Sequence, residues 1–254
     1  MTWAAVLSLL VSGSAVLAGP GDKIVEGESA TVGEAKISTW ARVNGAGKVI
    51  WVGLTLPLSV VENPPESGSG PAGAFAVLNF PAVVQETTYF NHFEMHAEPE
   101  GHPTNPGYVT RDRYSAPHFD FHFYAIPAAE VTSIPLKLPP LPAVAADLLP
   151  VGYAQPEISI PQMGRHAAAL SEFTAVGPLD ATMIAGFLPD ASFMHFIEPM
   201  ASYDFLLERK TFVLTVPRPA RLGRTTGYPT ECLALYDKQL DAYHFVFVGF
   251  RRVE

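Results

Sequence analysis

The chain has 254 residues, 48% of them hydrophobic, which is enough apolar material for one large β domain or two small ones. The formal net charge of −9 argues against nucleic acid as a partner, because proteins hold nucleic acid mainly through Lys and Arg side chains that neutralise phosphates. The single cysteine, Cys232, excludes a disulfide within the chain, and its apolar surroundings in the sequence predict a buried small hydrophobe.

The N-terminal segment Met1–Ala18 is predicted to be a secretory signal peptide. Val6–Ala18 is an apolar stretch, and the small residues before Gly19 fit a cleavage site. The first charged side chain is Asp22, so a basic start is missing, and the stretch is shorter than the ~20 residues of a membrane span. We expect a secreted or periplasmic protein without a stable membrane span after cleavage, in which 19–254 form one β-rich domain. An uncleaved anchor is the alternative.

A total of 24 prolines and few helical periods favour β structure with many loops. Strands are predicted at Ile37–Val43 and Lys48–Leu58, around a turn at Asn44–Gly47, because Asn and Gly tolerate the positive φ of a hairpin turn. Glu62–Gly73 follows as a loop. The predicted fold is mainly β: a single antiparallel β-barrel or β-sandwich domain with long Pro-rich loops and a few short helices.

Two segments alternate with a period of two, which is typical of a β-strand with one buried face. They are Thr87–Glu98 and Pro117–Tyr124, and in the second three phenylalanines face the core. Their polar faces are His92, Glu94, His96 and Glu98 in the first, and His118, Asp120, His122 and Tyr124 in the second. A rigid strand suits metal or catalytic groups, and two such strands joined by a long loop could pair and pool their side chains.

The rest of the chain is predicted to contain short helices and further strands. The helices are placed at Ala128–Ile134 and Ala143–Leu149, within or beside a Pro-rich surface stretch at 135–156. The strands are Phe193–Pro199, Thr211–Pro217, Glu231–Tyr236 and Ala242–Arg251. The last two are expected to form a hairpin around Asp237–Asp241.

The spacing of the central polar row limits which members can share an ion. His118 and His122 would have Cα atoms ~13 Å apart, because each residue of a strand advances ~3.3 Å. Residues at i and i+2, such as His118 and Asp120, are ~6.6 Å apart and converge more easily. A site there would use part of the row and be completed from elsewhere.

Three residues outside the row could complete such a site. His102 lies in a tight loop upstream, and His166 ends a turn. Glu198 lies in an apolar segment, where a buried carboxylate needs a cation, a proton or a metal nearby. The predicted metal ligands are therefore His102, His118, Asp120, His122, His166 and Glu198.

The remaining polar groups are interpreted as structural, because a lone histidine is more often a hydrogen-bonded structural residue than a ligand. This interpretation covers His92, His96, His195 and His244. Tyr124 is also interpreted as structural, with proton donation at the edge of the site as its alternative. For the predicted metal site itself the alternative is a buried polar network, in which every member must be satisfied.

These motifs carry a family resemblance. Gly101-His102-Pro103, Pro117–Tyr124, Met163-Gly164-x-His166 and Phe196–Met200 stand in this order, and Gly227–Thr230 precedes a hairpin. On them the chain resembles a family of bacterial exported proteins known only as a domain of unknown function, with a type structure from Thermus. The resemblance covers roughly residues 85–250 and is most specific in the central motif. It implies a largely β domain and a shared site at His102, His118, His122, His166 and Glu198, without an established reaction.

One segment departs from that family's pattern. Ala167-Ala168-Ala169 stands where aromatic and acidic residues are usual. A ligand role for an acid just after His166 is therefore not expected.

Two functions of different classes follow. The first is an exported metal-binding protein, which could also be a metal-dependent enzyme. Its imidazole and carboxylate ligands suit zinc, iron, manganese or copper. Glu198 or Asp120 would then act as a ligand or as a general base. The second is a non-catalytic binding or assembly module of the cell envelope whose polar cluster is structural. Metal-free acid–base catalysis by Asp120 with His122 is a weaker third. A small-molecule ligand and a homo-oligomer remain open.

Overall fold

The computed structural model describes residues 21–66, 68, 70, 73–102, 113–135, 142–155 and 159–254. The predicted signal segment Met1–Ala18 lies outside these residues, as do parts of the predicted loops at 62–73, 99–117 and 135–156. Within them the chain is mainly β, and two antiparallel sheets pack face to face without closing into a barrel. The prediction of an antiparallel, mainly β fold is confirmed, and the sandwich is the form observed.

The strands form two large sheets and one ribbon. In chain order they are β1 Lys23–Val32, β2 Ala35–Val43, β3 Val49–Pro57, β4 Ala76–Asn79, β5 His92–Glu98, β6 His118–Tyr124, β7 Tyr153–Ala154, β8 Ser159–Ile160, β9 Gly164–Ala169, β10 Ala181–Phe187, β11 Met194–Ser202, β12 Phe212–Thr215, β13 Thr226–Tyr228, β14 Glu231–Asp237, β15 Ala242–Val248 and β16 Arg251–Val253. The first sheet has the order β1-β2-β3-β15-β14-β12. The second has the order β4-β5-β6-β11-β10-β9-β7, with β8 paired to β9, and β13 pairs with β16.

Helices are short and lie between the strands. They are Leu58–Glu62, Ala82–Thr87, Ala128–Ser133 and Tyr203–Leu207, with 3-10 turns at Arg113–Ser115 and Leu170–Phe173. Across the described ranges, no helix is both long and apolar enough to cross a membrane.

Aromatic side chains join the two sheets. Phe121 and Phe123 of β6 contact Phe245 and Phe247 of β15, with ring centroids 4.5 and 4.7 Å apart respectively. All four rings are fully buried, and burying one such side chain stabilises a fold by roughly 1.5–3 kcal/mol. The apolar face of β6 is therefore fixed in the sandwich core, and its polar face must point away from the other sheet.

Most of the predicted elements are confirmed. β2 and β3 pair as a hairpin, and the Asn44 side chain accepts hydrogen bonds from the backbone of Ala46 and Lys48 in the turn. The helix predicted at Ala128–Ile134 is present, and the four downstream strands correspond to β11, β12, β14 and β15, the last two forming the predicted hairpin. Cys232 is buried, as expected.

The helix predicted at Ala143–Leu149 is wrong. This segment forms a single turn, in which the N–H groups of Leu148 and Leu149 both donate to the Ala145 carbonyl. The backbone N–H of Val144 donates instead to the Gln155 side chain at 3.0 Å. Prolines at both ends leave too few residues for a stable helix, since short helices depend on tertiary packing.

Gly186 in β10 leaves room for the Phe196 ring of β11, since a Cβ at residue 186 would lie 2.0 Å from two ring carbons. We therefore expect Gly186→Ala to lower the free energy of unfolding by ~2 kcal/mol through overpacking, measured by denaturant titration. The control is Gly45→Ala, whose added Cβ would meet its nearest neighbour at 3.6 Å. It should change stability by less than about 0.5 kcal/mol. Equal effects of the two substitutions would contradict this packing.

Candidate metal centre

The pairing of β5 with β6 brings the two polar rows together. Glu94 lies opposite His122, His96 opposite Asp120, and Glu98 opposite His118. Successive side chains of a strand point to opposite faces, so both rows share the face that points away from the sandwich core. The predicted pooling of the two rows is thus observed.

Three side chains at one end of this face converge, and we call them the outer triad: His102, His118 and Asp120. One ligand atom of each lies within 4.8 Å of the other two, so the triad could hold a metal ion. His102 Nε2 lies 3.3 Å from Asp120 Oδ2, and His118 Nε2 lies 3.2 Å from Asp120 Oδ1. The His102 side chain is 40% exposed whereas that of Asp120 is 5% exposed, so two members of the triad are buried and His102 connects them to solvent.

Local backbone structure brings His102 to the triad. Gly101 has a φ of +64°, and a Cβ there would lie 2.4 Å from the backbone of Ser115. Glycine is therefore required for the close approach of these two chain segments. The His102 N–H then donates to the Tyr114 carbonyl at 2.8 Å, which fixes the histidine beside β6.

The hydrogen bonding of His118 leaves a lone pair facing a carboxylate. His118 Nδ1 lies 2.6 Å from the Ala116 carbonyl, which can only accept, so Nδ1 carries the proton and Nε2 of the neutral ring carries a lone pair. With a neutral ring, Nε2 and Asp120 Oδ1 would both be acceptors, and neither has a hydrogen-bond partner among the described residues. A proton or a metal ion between them is needed to make this contact favourable.

The charges around the triad favour a cation. Burial alone would raise the pKa of Asp120, but the neighbouring His102 and His118 hold it well below the usual value of an aspartate. Burial would lower the pKa of His102, but Asp120 outweighs it and raises that pKa. Burial and the charge of Asp120 raise the pKa of Glu98, which lies 3.8 Å from His102. The triad therefore combines an ionised carboxylate with two imidazoles.

A second group lies deeper on the same face, and we call it the inner cluster: Glu94, His96, His122 and Glu198. Glu94 Oε2 lies 3.8 Å from His96 Nε2, and His122 Nε2 lies 3.6 Å from Glu198 Oε2. The rings of His96 and His122 have centroids 4.8 Å apart. All four side chains are at most 4% exposed.

The predicted ligands are thus divided. His102, His118 and Asp120 converge, while His122 and Glu198 meet each other in the inner cluster. His166 is in β9, not in the turn assigned to it, and its buried ring packs against Phe196 with centroids 5.2 Å apart. It is not one of the three residues whose ligand atoms converge.

The histidines interpreted as structural differ in their surroundings. His92 donates through Nδ1 to the Ile126 carbonyl and contacts Glu94 through Nε2, and His244 bonds Thr55 in the other sheet, so both have structural partners. His96 instead lies in the inner cluster, and its Nε2 has no hydrogen-bond partner in the described part of the chain. The alternation of β5 already put His96 and Glu94 on one face, and only the pairing with β6 shows what they face.

Two buried histidines should remain neutral far below the usual pKa of 6.5. Burial lowers the pKa of His166 to about 4, and burial together with His166 lowers that of His195 to about 3. In chelator-treated protein at pH 5.5 we expect NMR of the ring nitrogens to show both as neutral. Their contribution to stability then falls as the pH drops below 6.5, because the unfolded chain binds protons that the folded chain does not. Titration of either ring near pH 6.5 would contradict this burial.

Comparison with known proteins finds no relative of the chain. No protein-family model, no curated protein and no solved structure matches the chain. The resemblance read from the motifs therefore stays a prediction. Function must be argued from the geometry of the site, since a fold alone does not specify one.

Proposed function

We propose that the chain is a metal-binding protein that holds a divalent transition-metal ion in the outer triad. The observation that supports this most strongly is the buried contact of His118 Nε2 with Asp120 Oδ1 at 3.2 Å, which needs a proton or a metal ion between the two atoms. The second imidazole, His102, approaches the other oxygen of the same carboxylate. Two imidazoles and one carboxylate form a common ligand set for a transition metal.

The ligand types select the class of ion. The imidazole and carboxylate ligands suit zinc, iron, manganese or copper, whereas magnesium and calcium prefer oxygen ligands alone. Three protein ligands leave coordination positions for water or a small-molecule ligand, and the partly exposed His102 marks the side open to solvent. An ion with open positions lowers the pKa of bound water and polarises ligands, so we include metal-dependent enzyme activity in the proposal.

The alternative, a purely structural polar network, is not favoured. A stable buried network must satisfy each of its members. Across the described residues the two groups contain buried atoms without a hydrogen-bond partner: Glu94 Oε2, His96 Nε2, His118 Nε2, Asp120 Oδ1, both ring nitrogens of His122, and Glu198 Oε2. Such atoms are what a metal-binding face leaves free for an ion.

Export is a second part of the proposal. It is supported by the apolar segment Met1–Ala18 with its small-residue end, and by the likeness of the motifs to a family of exported proteins. We therefore propose that the metal-binding domain acts in the periplasm or outside the cell. N-terminal sequencing of the mature protein would test this, with cleavage after Ala18 as the expected result and an intact Met1 as the contradicting one.

Calorimetric titration of untagged, chelator-treated protein with Zn²⁺ and Mn²⁺ tests the metal site. We expect micromolar or tighter binding to the wild type, equivalent to about −8 kcal/mol or more. His118→Ala should weaken it strongly while the circular dichroism spectrum is retained. His244→Ala is the matched control, because His244 bonds Thr55 in the other sheet, away from both groups. Equal affinity of His118→Ala and wild type would overturn the proposal.

A further inference from the structure

We infer that the inner cluster is a second site for a divalent transition-metal ion, next to the outer triad. The two sets share no ligand, so this inference does not require the triad to be filled. It assigns a role to Glu94 and His96, which sequence patterns did not mark as ligands. It also explains why His122 and Glu198 meet each other and not the triad.

The first argument is that four buried side chains of ligand type come from three adjacent strands. Glu94 and His96 come from β5, His122 from the neighbouring β6, and Glu198 from β11 on the other side of β6. The closest oxygen–nitrogen distances are 3.6 and 3.8 Å, which are longer than hydrogen bonds. Among the described residues only the ligand atoms of the outer triad lie within 4.8 Å of one another, so an ion between these two pairs requires their side chains to move towards it.

The second argument is the number of buried polar atoms without a hydrogen-bond partner. Glu94 Oε2, His96 Nε2, Glu198 Oε2 and both nitrogens of His122 are buried and lack a hydrogen-bond partner within the described ranges. Among the ion pairs of those ranges, Glu94 and Glu198 meet only histidines. A carboxylate in such surroundings is costly to bury unless a proton or a cation compensates it, and burial accordingly raises the pKa of Glu198 well above its usual value.

The third argument is that a neighbouring histidine, His92, orients one carboxylate of the cluster. His92 Nδ1 donates to the Ile126 carbonyl at 2.7 Å, and its Nε2 lies 3.1 Å from Glu94 Oε1. The His92 ring also stacks on Tyr124, with centroids 4.8 Å apart and planes 4° apart. One oxygen of Glu94 is thus fixed by His92 while the other faces His96. Partners of this kind orient metal ligands in known centres.

The ligand set defines the ion. Two carboxylates would balance the charge of a divalent cation once the ion replaced the proton that burial favours on Glu198, and two imidazoles favour manganese, iron or zinc over magnesium or calcium. Asp120 and His122 are alternate residues of β6, and His96 lies opposite Asp120 in register. The two ions would therefore be neighbours on one face of the sheet.

The test is the stoichiometry of Co²⁺ binding to untagged, chelator-treated protein, followed by visible absorption and elemental analysis. We expect two ions per wild-type chain, one in Glu198→Gln and one in Asp120→Asn. Glu208→Gln is the matched control, because Glu208 is exposed and pairs with Lys210. It should retain two ions.

The outcomes separate this inference from the proposed function. A single ion that is lost in Asp120→Asn and kept in Glu198→Gln would overturn the second site and leave the triad. A single ion with the opposite behaviour would overturn the triad and leave the second site. If Glu198→Gln fails to fold, the wild-type count decides, and saturation at one ion per chain overturns the inference.

Discussion

Asp120→Asn should weaken metal binding at the outer triad by at least about 100-fold, equivalent to ~2.7 kcal/mol. Asp120 is the only carboxylate of the triad, and its two oxygens face the two imidazoles. An amide carries no charge, and its NH₂ group would donate to one histidine and occupy the lone pair that the ion needs. We expect this to be the largest effect of any single substitution on the triad, measured by calorimetric titration with Zn²⁺.

The same chemical change at an exposed position provides the control. Asp147 is exposed on the surface and pairs with Arg221 at 2.8 Å. Asp147→Asn should leave the affinity for Zn²⁺ unchanged within about twofold, since surface substitutions away from a site have small effects. If Asp120→Asn bound the ion as tightly as Asp147→Asn does, the triad could not be the ligand set.

Metal binding should raise the free energy of unfolding by more than a single surface interaction contributes. Free ion at 100 times its Kd adds about 2.7 kcal/mol per site, because the folded chain assembles ligands that the unfolded chain scatters. In a chain of this length 1 kcal/mol shifts Tm by about 2–4 °C, so one ion should raise it by roughly 5–11 °C. Scanning calorimetry with and without a chelator measures this directly.

Magnesium is the discriminating control for that experiment. Because Mg²⁺ prefers oxygen ligands and keeps much of its water, it should give little stabilisation of an imidazole-rich site. Zinc or manganese should therefore raise Tm where magnesium does not. A chelator without effect on Tm, together with equal responses to all three ions, would point to a structural network.

The strands could be predicted from the sequence where apolar and polar side chains alternate with a period of two residues. The alternation of Phe119, Phe121 and Phe123 predicts a half-buried strand, and the structure confirms the strand with every one of these rings in the core. The opposite, polar face is buried as well, so the strand is not half-buried as predicted. Strand β10 was not predicted, because Ala181–Phe187 lacks the alternation and includes Gly186. The structure requires a glycine there because the ring of Phe196, on the neighbouring strand, occupies the space of a side chain. No local sequence pattern specifies that these two residues pair.

The sequence predicts several of the candidate ligands, but it does not predict which of them lie together. Strand spacing indicates that His118 and His122 are too far apart for a simple pair, and the structure places them in different groups. The approach of His102 depends on the close contact of Gly101 with Ser115, and the two residues are distant in sequence. His96 was interpreted as structural, since its ligand character arises only from its position opposite Asp120.

Elemental analysis of untagged protein, purified with divalent transition metals supplied, tests the central claim most directly. We expect at least about one such ion per chain, rising to about two when both groups are filled, because folding assembles the ligands in advance. The ion should resist dialysis and be removed by a strong chelator. Less than about 0.2 ion per folded chain would contradict metal binding at this face of the sheet.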